Sequence, residues 1–209
     1  MKTIYFIRHS APFVEIENYK NNESIKWNEV NRNMILSVKG EENAKKICEI
    51  EELKSINEVY SSNSARAIGT AKYLAELNNK TIKLDNRINE REFGVDYIKE
   101  LPEYYQKKSF DDKNFKIHNG ESLNEVDRRL NSFISDVLNG ECDKIVVVMH
   151  GVILLSYLQT ICSDFSYDGS SFKIKFNNNI IVNGTLGNPS IYKIVYDDKN
   201  NIISVDNIS

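Results

Sequence analysis

Disulfides, membrane spans and a charged surface for polyelectrolytes are all scarce in this sequence. Its 209 residues carry three cysteines, Cys48, Cys142 and Cys162, an odd number with no close pairing. That pattern excludes a disulfide framework and predicts reduced thiols in a cytoplasmic protein. No apolar run approaches the ~20 residues a membrane helix needs. The apolar stretch in MKTIYFIRHS is broken by Arg8 and is too short for a signal-peptide core, so the expected compartment is the cytoplasm. A net charge of −3, with no basic amphipathic stretch, leaves no footprint for nucleic acid or a membrane surface. The Asn-x-Ser/Thr triplets at Asn22 and Asn183 read as coincidences of an Asn-rich chain. Low-complexity linkers and internal repeats are also missing.

What is present, 41% hydrophobic and 27% charged residues, suits one globular domain over 1–209. The short β-favouring run at 3–7 reads as a central strand that stops at Arg8-His9. Residues 11–33 are polar and irregular and read as a long loop. A helix is expected over 40–53, a strand over 58–61, a helix over 65–77 and a strand over 81–84. The mixed segment 87–119 reads as a small inserted cap. Ser122 and Glu125 have capping-box spacing. They open a helix with Leu123, Val126, Leu130, Phe133, Ile134 and Val137 at helical intervals. The β-branched run 145–149 is a buried strand ending at His150-Gly151, followed by an apolar helix to about Ile161. From Phe172 onward two or three strands are expected, with turns at 177–179 and 187–189. Alternating strands and helices predict an α/β fold, a mostly parallel central sheet with helices on both faces and the small inserted cap.

Ligands of such sheets bind at the carboxyl ends of strands. The chain has only three histidines, and His9 and His150 both fall at strand ends. Arg8 adjoins one of them, and Arg66 opens the helix after the strand that ends at Ser61-Ser62. Two arginines and two histidines at three strand ends make a cationic pocket, which calls for an anion.

The ordered series YFIRHS, LSVKG at 36–40, SSNSARAIGTA, RINEREFG, NGES, VVVMHG and LGNPSIYKI resembles the histidine phosphatase superfamily, which contains cofactor-dependent phosphoglycerate mutases and many small phosphatases. The resemblance runs across nearly the whole chain. It implies a metal-independent phosphomonoester hydrolase that needs no cofactor and acts on a small-molecule ester. His9 would be the nucleophile, forming a phosphohistidine, and Glu90 the general acid and base, with Glu92 its rival. Arg8 and Arg66 would grip the phosphoryl oxygens, and His150, protonated when the dianion is bound, would add a third donor. Ser10, Ser62 and the Gly151 N–H are further candidate phosphate contacts. Ser122 is accounted for by its cap, Asn188 by a turn and His118 by the cap's rim. Phe13, Trp27, Tyr97, Tyr104 and Tyr105 are candidates to line the substrate site. No oligomeric state is assigned.

Two departures stand out. Ser10-Ala11-Pro12 replaces the usual Gly after the nucleophile, and Glu15 stands where a phosphate-contacting Asn is common. These departures motivate one alternative, a non-catalytic phosphate-binding module. A second is mutase-type transfer, disfavoured because 93–126 contains lysines but no arginine to clamp a second anion. A third, a metal hydrolase using His9, His150 and Glu90, would place a cation beside two arginines.

Overall fold

A computed structural model describes residues 1–14 and 26–209. Glu15 therefore lies outside the described residues. The chain begins with β1 (Lys2–Arg8), then α1 (Trp27–Asn33), α2 (Val38–Lys46), β2 (Glu58–Ser61), α3 (Ala65–Leu77) and β3 (Ile82–Leu84). Next come α4 (Tyr105–Asp111) in the 87–119 segment, α5 (Leu123–Asn139), β4 (Lys144–Met149) and α6 (Gly151–Ile161). Strands β5 (Asp164–Tyr167), β6 (Phe172–Phe176) and β7 (Asn179–Gly184) form a small separate antiparallel sheet. Strands β8 (Ser190–Tyr196) and β9 (Ile202–Asn207) then return to the central sheet.

The central sheet has the order β3-β2-β4-β1-β8-β9. Its first four strands are mutually parallel, β8 runs antiparallel to β1, and β9 runs antiparallel to β8. Successive strand residues face opposite sides, and Ile4 to Ile7 of β1 are all buried. Ile4 and Phe6 enter a core with Leu130 and Phe133 of α5 and Leu154 of α6. Tyr5 and Ile7 enter a second core with Ala67, Ala71 and Leu74 of α3. Helices therefore cover both faces, as continuous apolar strands require.

The capping box forms as its spacing predicts. Glu125 N–H donates to Ser122 Oγ at 3.2 Å, and Ser122 N–H donates to the Glu125 carboxylate at 2.8 Å. The six apolar residues expected on the buried stripe of α5 are all buried.

Three expectations need correction. The stretch read as one loop contains α1, a two-turn helix whose seven residues are too few for periodicity to register. The helix expected over 40–53 stops at Lys46 and gives way to two 3-10 turns, Ile47–Glu49 and Glu51–Leu53. Ile50 takes an extended backbone between them, and Ile47 and Leu53 both reach the core. From Phe172 there are four strands rather than two or three, and β5 precedes them.

The 87–119 segment is fastened by a buried arginine. Arg91 Nε donates to the Glu121 carbonyl at 2.7 Å, Nη1 to Ser109 Oγ at 2.7 Å and Nη2 to the Phe115 carbonyl at 3.0 Å. Its guanidinium also lies 4.8 Å from the centre of the Tyr105 ring. Lys113 adds an ion pair with the buried Asp127, which also accepts from Ser156 Oγ at 2.5 Å. Among the described residues, no helix is long and apolar enough to cross a membrane.

Ser122→Ala removes the acceptor at the start of α5. It should lower unfolding free energy by roughly 0.5–2 kcal/mol, read from urea denaturation midpoints at constant slope.

Candidate active site

Parallel pairing sets the site. β1 and β4 align with Arg8 opposite Met149, and His9 N–H donates to the Met149 carbonyl at 2.9 Å. The next residues, His9 and His150, therefore leave the sheet side by side, with ring centroids 5.1 Å apart in an edge-on arrangement. β2 also runs parallel to β4, so Ser62 and the start of α3 arrive at the same edge.

Hydrogen bonding fixes the state of each imidazole. His9 Nδ1 lies 2.7 Å from the Ser10 carbonyl, which can only accept, so Nδ1 carries the proton. Arg66 Nε–H donates to His9 Nε2 at 3.0 Å, so Nε2 presents its lone pair. Arg66 Nη2 donates to His150 Nδ1 at 2.9 Å. The proton of His150 is then on Nε2 and is donated to Ser62 Oγ at 2.7 Å. Burial, reinforced by the Arg66 charge, pushes both histidines well below their ordinary range. Both are therefore neutral in the empty site. The cationic His150 expected with a bound dianion is not the resting form, because burial and Arg66 hold it neutral.

Arg66 is itself buried and is anchored from α1. Nη1 donates to the Asn31 carbonyl, and Nη2 donates to Asn31 Oδ1 at 2.7 Å. Burial pulls its guanidinium down to about 10, opposed by Glu90 and assisted by Arg8, so it remains charged at neutral pH. Arg8 Nη1 donates to the Leu186 carbonyl at 2.6 Å. Gly151 permits the close approach of Arg8, since a Cβ there would sit 3.1 Å from Arg8 Nε.

Glu90 lies at the amino end of α6. Its carboxylate accepts from the backbone N–H groups of Arg91 at 2.9 Å and of Val152 and Ile153 at 3.2 Å. A helix N-terminus offers unpaired N–H groups and a positive dipole end, which hold a carboxylate in place. Arg8, His9, Arg66, Glu90 and Gly151 all border one cavity of about 350 Å³. Glu92 borders separate depressions, and its N–H is bound to the Glu121 carboxylate at 3.0 Å.

Other candidates are placed elsewhere. Ser10 is fully buried and does not border the cavity. Its hydroxyl donates to the Gly40 carbonyl at 2.7 Å, and its N–H donates to Thr70 Oγ1 at 2.9 Å. The side chain is spent on the turn after β1 rather than offered to a phosphate. Ser62 is likewise buried and acts as the partner of His150, which meets the cavity only through Arg66. Trp27 alone of the five suggested lining aromatics borders the cavity. Phe13 and Tyr104 point to solvent, and Tyr105 packs on Arg91. Sequence reasoning missed Asn31 as a wall residue and read Asn188, also on the wall, as a turn residue first. It also missed Phe93, Tyr167 and Phe172. The alternation around Phe172 was a usable signal for a strand, but nothing in it pointed to a ligand site. Among the described residues no group of three or more potential ligands is placed to hold a metal ion. The arginine between the two histidines already occupies the lone pairs a metal would need.

The family model described as histidine phosphatase superfamily (branch 1) matches residues 4–203. The chain belongs to the histidine phosphatase superfamily. Solved members of like fold include a mycobacterial glucosyl-3-phosphoglycerate phosphatase, 18% identical at TM-score 0.69, with 100% of this chain and 98% of that one covered. A putative alpha-ribazole-5'-P phosphatase from Escherichia coli is 18% identical at TM-score 0.67, covering 98% and 96%. A phosphoserine phosphatase mutant from Entamoeba histolytica is 18% identical at TM-score 0.65, covering 99% and 97%. No curated protein matches the sequence. At these identities the likeness establishes the histidine phosphatase fold, and substrates do not transfer with it.

The neutral, buried histidines make a pH prediction. Their folded values lie below the unfolded value of 6.5, so the unfolded chain takes up protons first as pH falls. Their contribution is full above about pH 6.5 and declines below it, by at most ~1.4 kcal/mol per pH unit for each histidine. Urea midpoints measured from pH 7.5 to 5 without phosphate should show this slope, and His150→Gln should flatten it.

Proposed function

We propose that this histidine phosphatase superfamily member hydrolyses phosphomonoesters through a phosphohistidine formed on His9 Nε2. One observation carries the reading. The His9 tautomer is fixed by the Ser10 carbonyl so that Nε2 carries the lone pair, held by Arg66 Nε–H, and His9 borders a cavity shared with Arg8, Arg66 and Glu90.

In the first step the ester phosphate enters between Arg8 and Arg66. Arg66 exchanges its hydrogen bond to His9 Nε2 for one to a phosphoryl oxygen. The freed nitrogen attacks phosphorus in line, the P–O bond to the alcohol breaks, and protonated Glu90 gives its proton to the leaving oxygen. In the second step the Glu90 carboxylate takes a proton from water, whose oxygen attacks phosphorus. The P–N bond then breaks and inorganic phosphate leaves. The Val152 and Ile153 N–H groups hold the Glu90 carboxyl group in position through both steps. His150, fully buried behind Arg66, acts through its hydrogen bond to that guanidinium and orients it toward the phosphate. The cationic groups stabilise the oxygens of the transferring group, the usual source of rate in phosphoryl transfer.

Hydrolysis is favoured over mutase-type transfer because Arg8 and Arg66 are the only cationic side chains bordering the cavity among the described residues. A second anion would meet no further cation on the cavity wall among those residues. The loss of Gly after the nucleophile does not favour a non-catalytic module, since Ser10 is absorbed into the turn without blocking His9.

The decisive test is p-nitrophenyl phosphate turnover in excess EDTA, with acid-quenched trapping of labelled phosphate. Wild type should be active and carry label on His9. His9→Ala should lose at least about 10⁴-fold in kcat and carry none. Retention of most activity in that variant would remove the nucleophile assignment. Glu90→Gln should reduce kcat on an alkyl phosphate about 100-fold more than on p-nitrophenyl phosphate, whose leaving group needs little protonation. Equal losses on both substrates would point to another acid.

A further inference from the structure

The cavity is unequal along its length. The sheet edge supplies all of its formal charge, from Arg8, Arg66 and Glu90, while the rest of the wall is uncharged among the described residues. Two stacked aromatic pairs contribute to that wall from different parts of the chain. Trp27 of α1 and Phe93 of the 87–119 segment lie parallel, with centroids 5.9 Å apart and planes within 2°. Tyr167 and Phe172, which flank the turn between β5 and β6, stack at 4.1 Å and 7°. Met34 and Leu155 add apolar surface. The polar groups beyond the phosphoryl end, such as Gln106, Ser170 and Thr185, are neutral.

Nearby ionised side chains are turned to other work. Lys107 pairs with Asp111 at 2.6 Å, Lys113 with Asp127 and Lys116 with Glu125 at 2.7 Å. Asp168, the acid of the β5–β6 turn, accepts from the N–H and hydroxyl groups of Ser170 and Ser171 at 2.8 Å. Among the described residues, a carboxylate or second phosphate on the alcohol would thus be desolvated without a cation on that wall to meet it. Among the same residues, the one carboxylate bordering the cavity for an ammonium group is Glu90, already held by α6. An ionised group buried without a partner is strongly disfavoured, whereas flat apolar surface gains from leaving water.

We propose that the substrate is a phosphomonoester of an uncharged alcohol with an aromatic body, seated between the Trp27–Phe93 and Tyr167–Phe172 pairs. This rests on the phosphatase reading for turnover but not for binding, and the experiment separates the two. Esters of alcohols with similar acidity are compared, so that leaving-group chemistry does not masquerade as recognition. They are 2-naphthylmethyl phosphate, glycerol 1-phosphate, 3-phosphoglycerate and phosphoethanolamine. Calorimetric affinities are measured on His9→Ala, which leaves the esters intact, and kcat/KM on wild type.

The naphthylmethyl ester should bind about ten- to a hundredfold more tightly than each of the others, with a similar advantage in kcat/KM. Tyr167→Ala should shrink that advantage by roughly tenfold, and Tyr167→Phe should preserve it. Gln106 is exposed, so Gln106→Arg tests the charge argument without disturbing the core. It should improve the relative affinity for 3-phosphoglycerate by roughly tenfold. Equal affinity for all four esters, or tighter binding of a charged one, would overturn the proposal. Selective binding of the aryl ester with no turnover of any ester would support this pocket assignment and reject the phosphatase reading. Turnover of all four without preference would do the reverse.

Discussion

A single buried guanidinium organises the functional end of this molecule. Arg66 is placed by the first turn of α3, and its donors reach both imidazoles and both oxygens of Asn31. Burying a cation is tolerable only when its donors are met, and here the acceptors are the groups the chemistry requires. Burial, reinforced by the same charge, keeps His9 and His150 neutral, and the guanidinium's hydrogen bonds determine their tautomers and make a dianion a natural visitor. A phosphate replaces neutral acceptors with charged ones, and hydrogen bonds to charged groups are roughly twice as strong. In the proposed mechanism, that exchange is what frees His9 Nε2.

The frame around that arginine is equally economical in its use of backbone. Three parallel strands end at one edge and deliver His9, Ser62 and His150 in register. The helix after the third strand then fixes the Glu90 carboxylate by its free N–H groups. Gly151 lets Arg8 lie against that same helix end, so a cation and a carboxylate are gathered at one turn.

Much of this was legible in the order of residues. The runs at 3–7 and 145–149 announce buried strands because all but Thr3 are apolar, and the histidines that close them announce a sheet-edge site. The Ser122–Glu125 box and the stripe behind it are local patterns, confined to neighbours along the chain, and such patterns survive folding. The losses have the opposite character. Asn31 contacts Arg66 across 35 positions, and no periodicity connects them. α1 is too short to show a stripe. Ser10 looked available because the sequence could not show that Gly40 and Thr70 would take its hydroxyl and N–H. The wall formed by Tyr167 and Phe172 belongs to a small sheet whose first strand, carrying Tyr167, was not expected and whose second carried no ligand signal. An expected cap at 87–119 accounted for one side of the cavity and concealed the need for another.

The central position of β1 has a consequence for synthesis. Its hydrogen-bonding partners are β4 and β8, which begin at Lys144 and Ser190. A ribosome making ~5–20 residues per second needs on the order of ten seconds to reach the first of them. Throughout that interval an apolar strand with two open edges waits without its sheet, a state prone to pairing with other chains. His9 and His150 meet only when β4 docks against β1. The exposure of β1 during synthesis is the counterpart of a sheet-edge site whose two histidines are made about 140 residues apart.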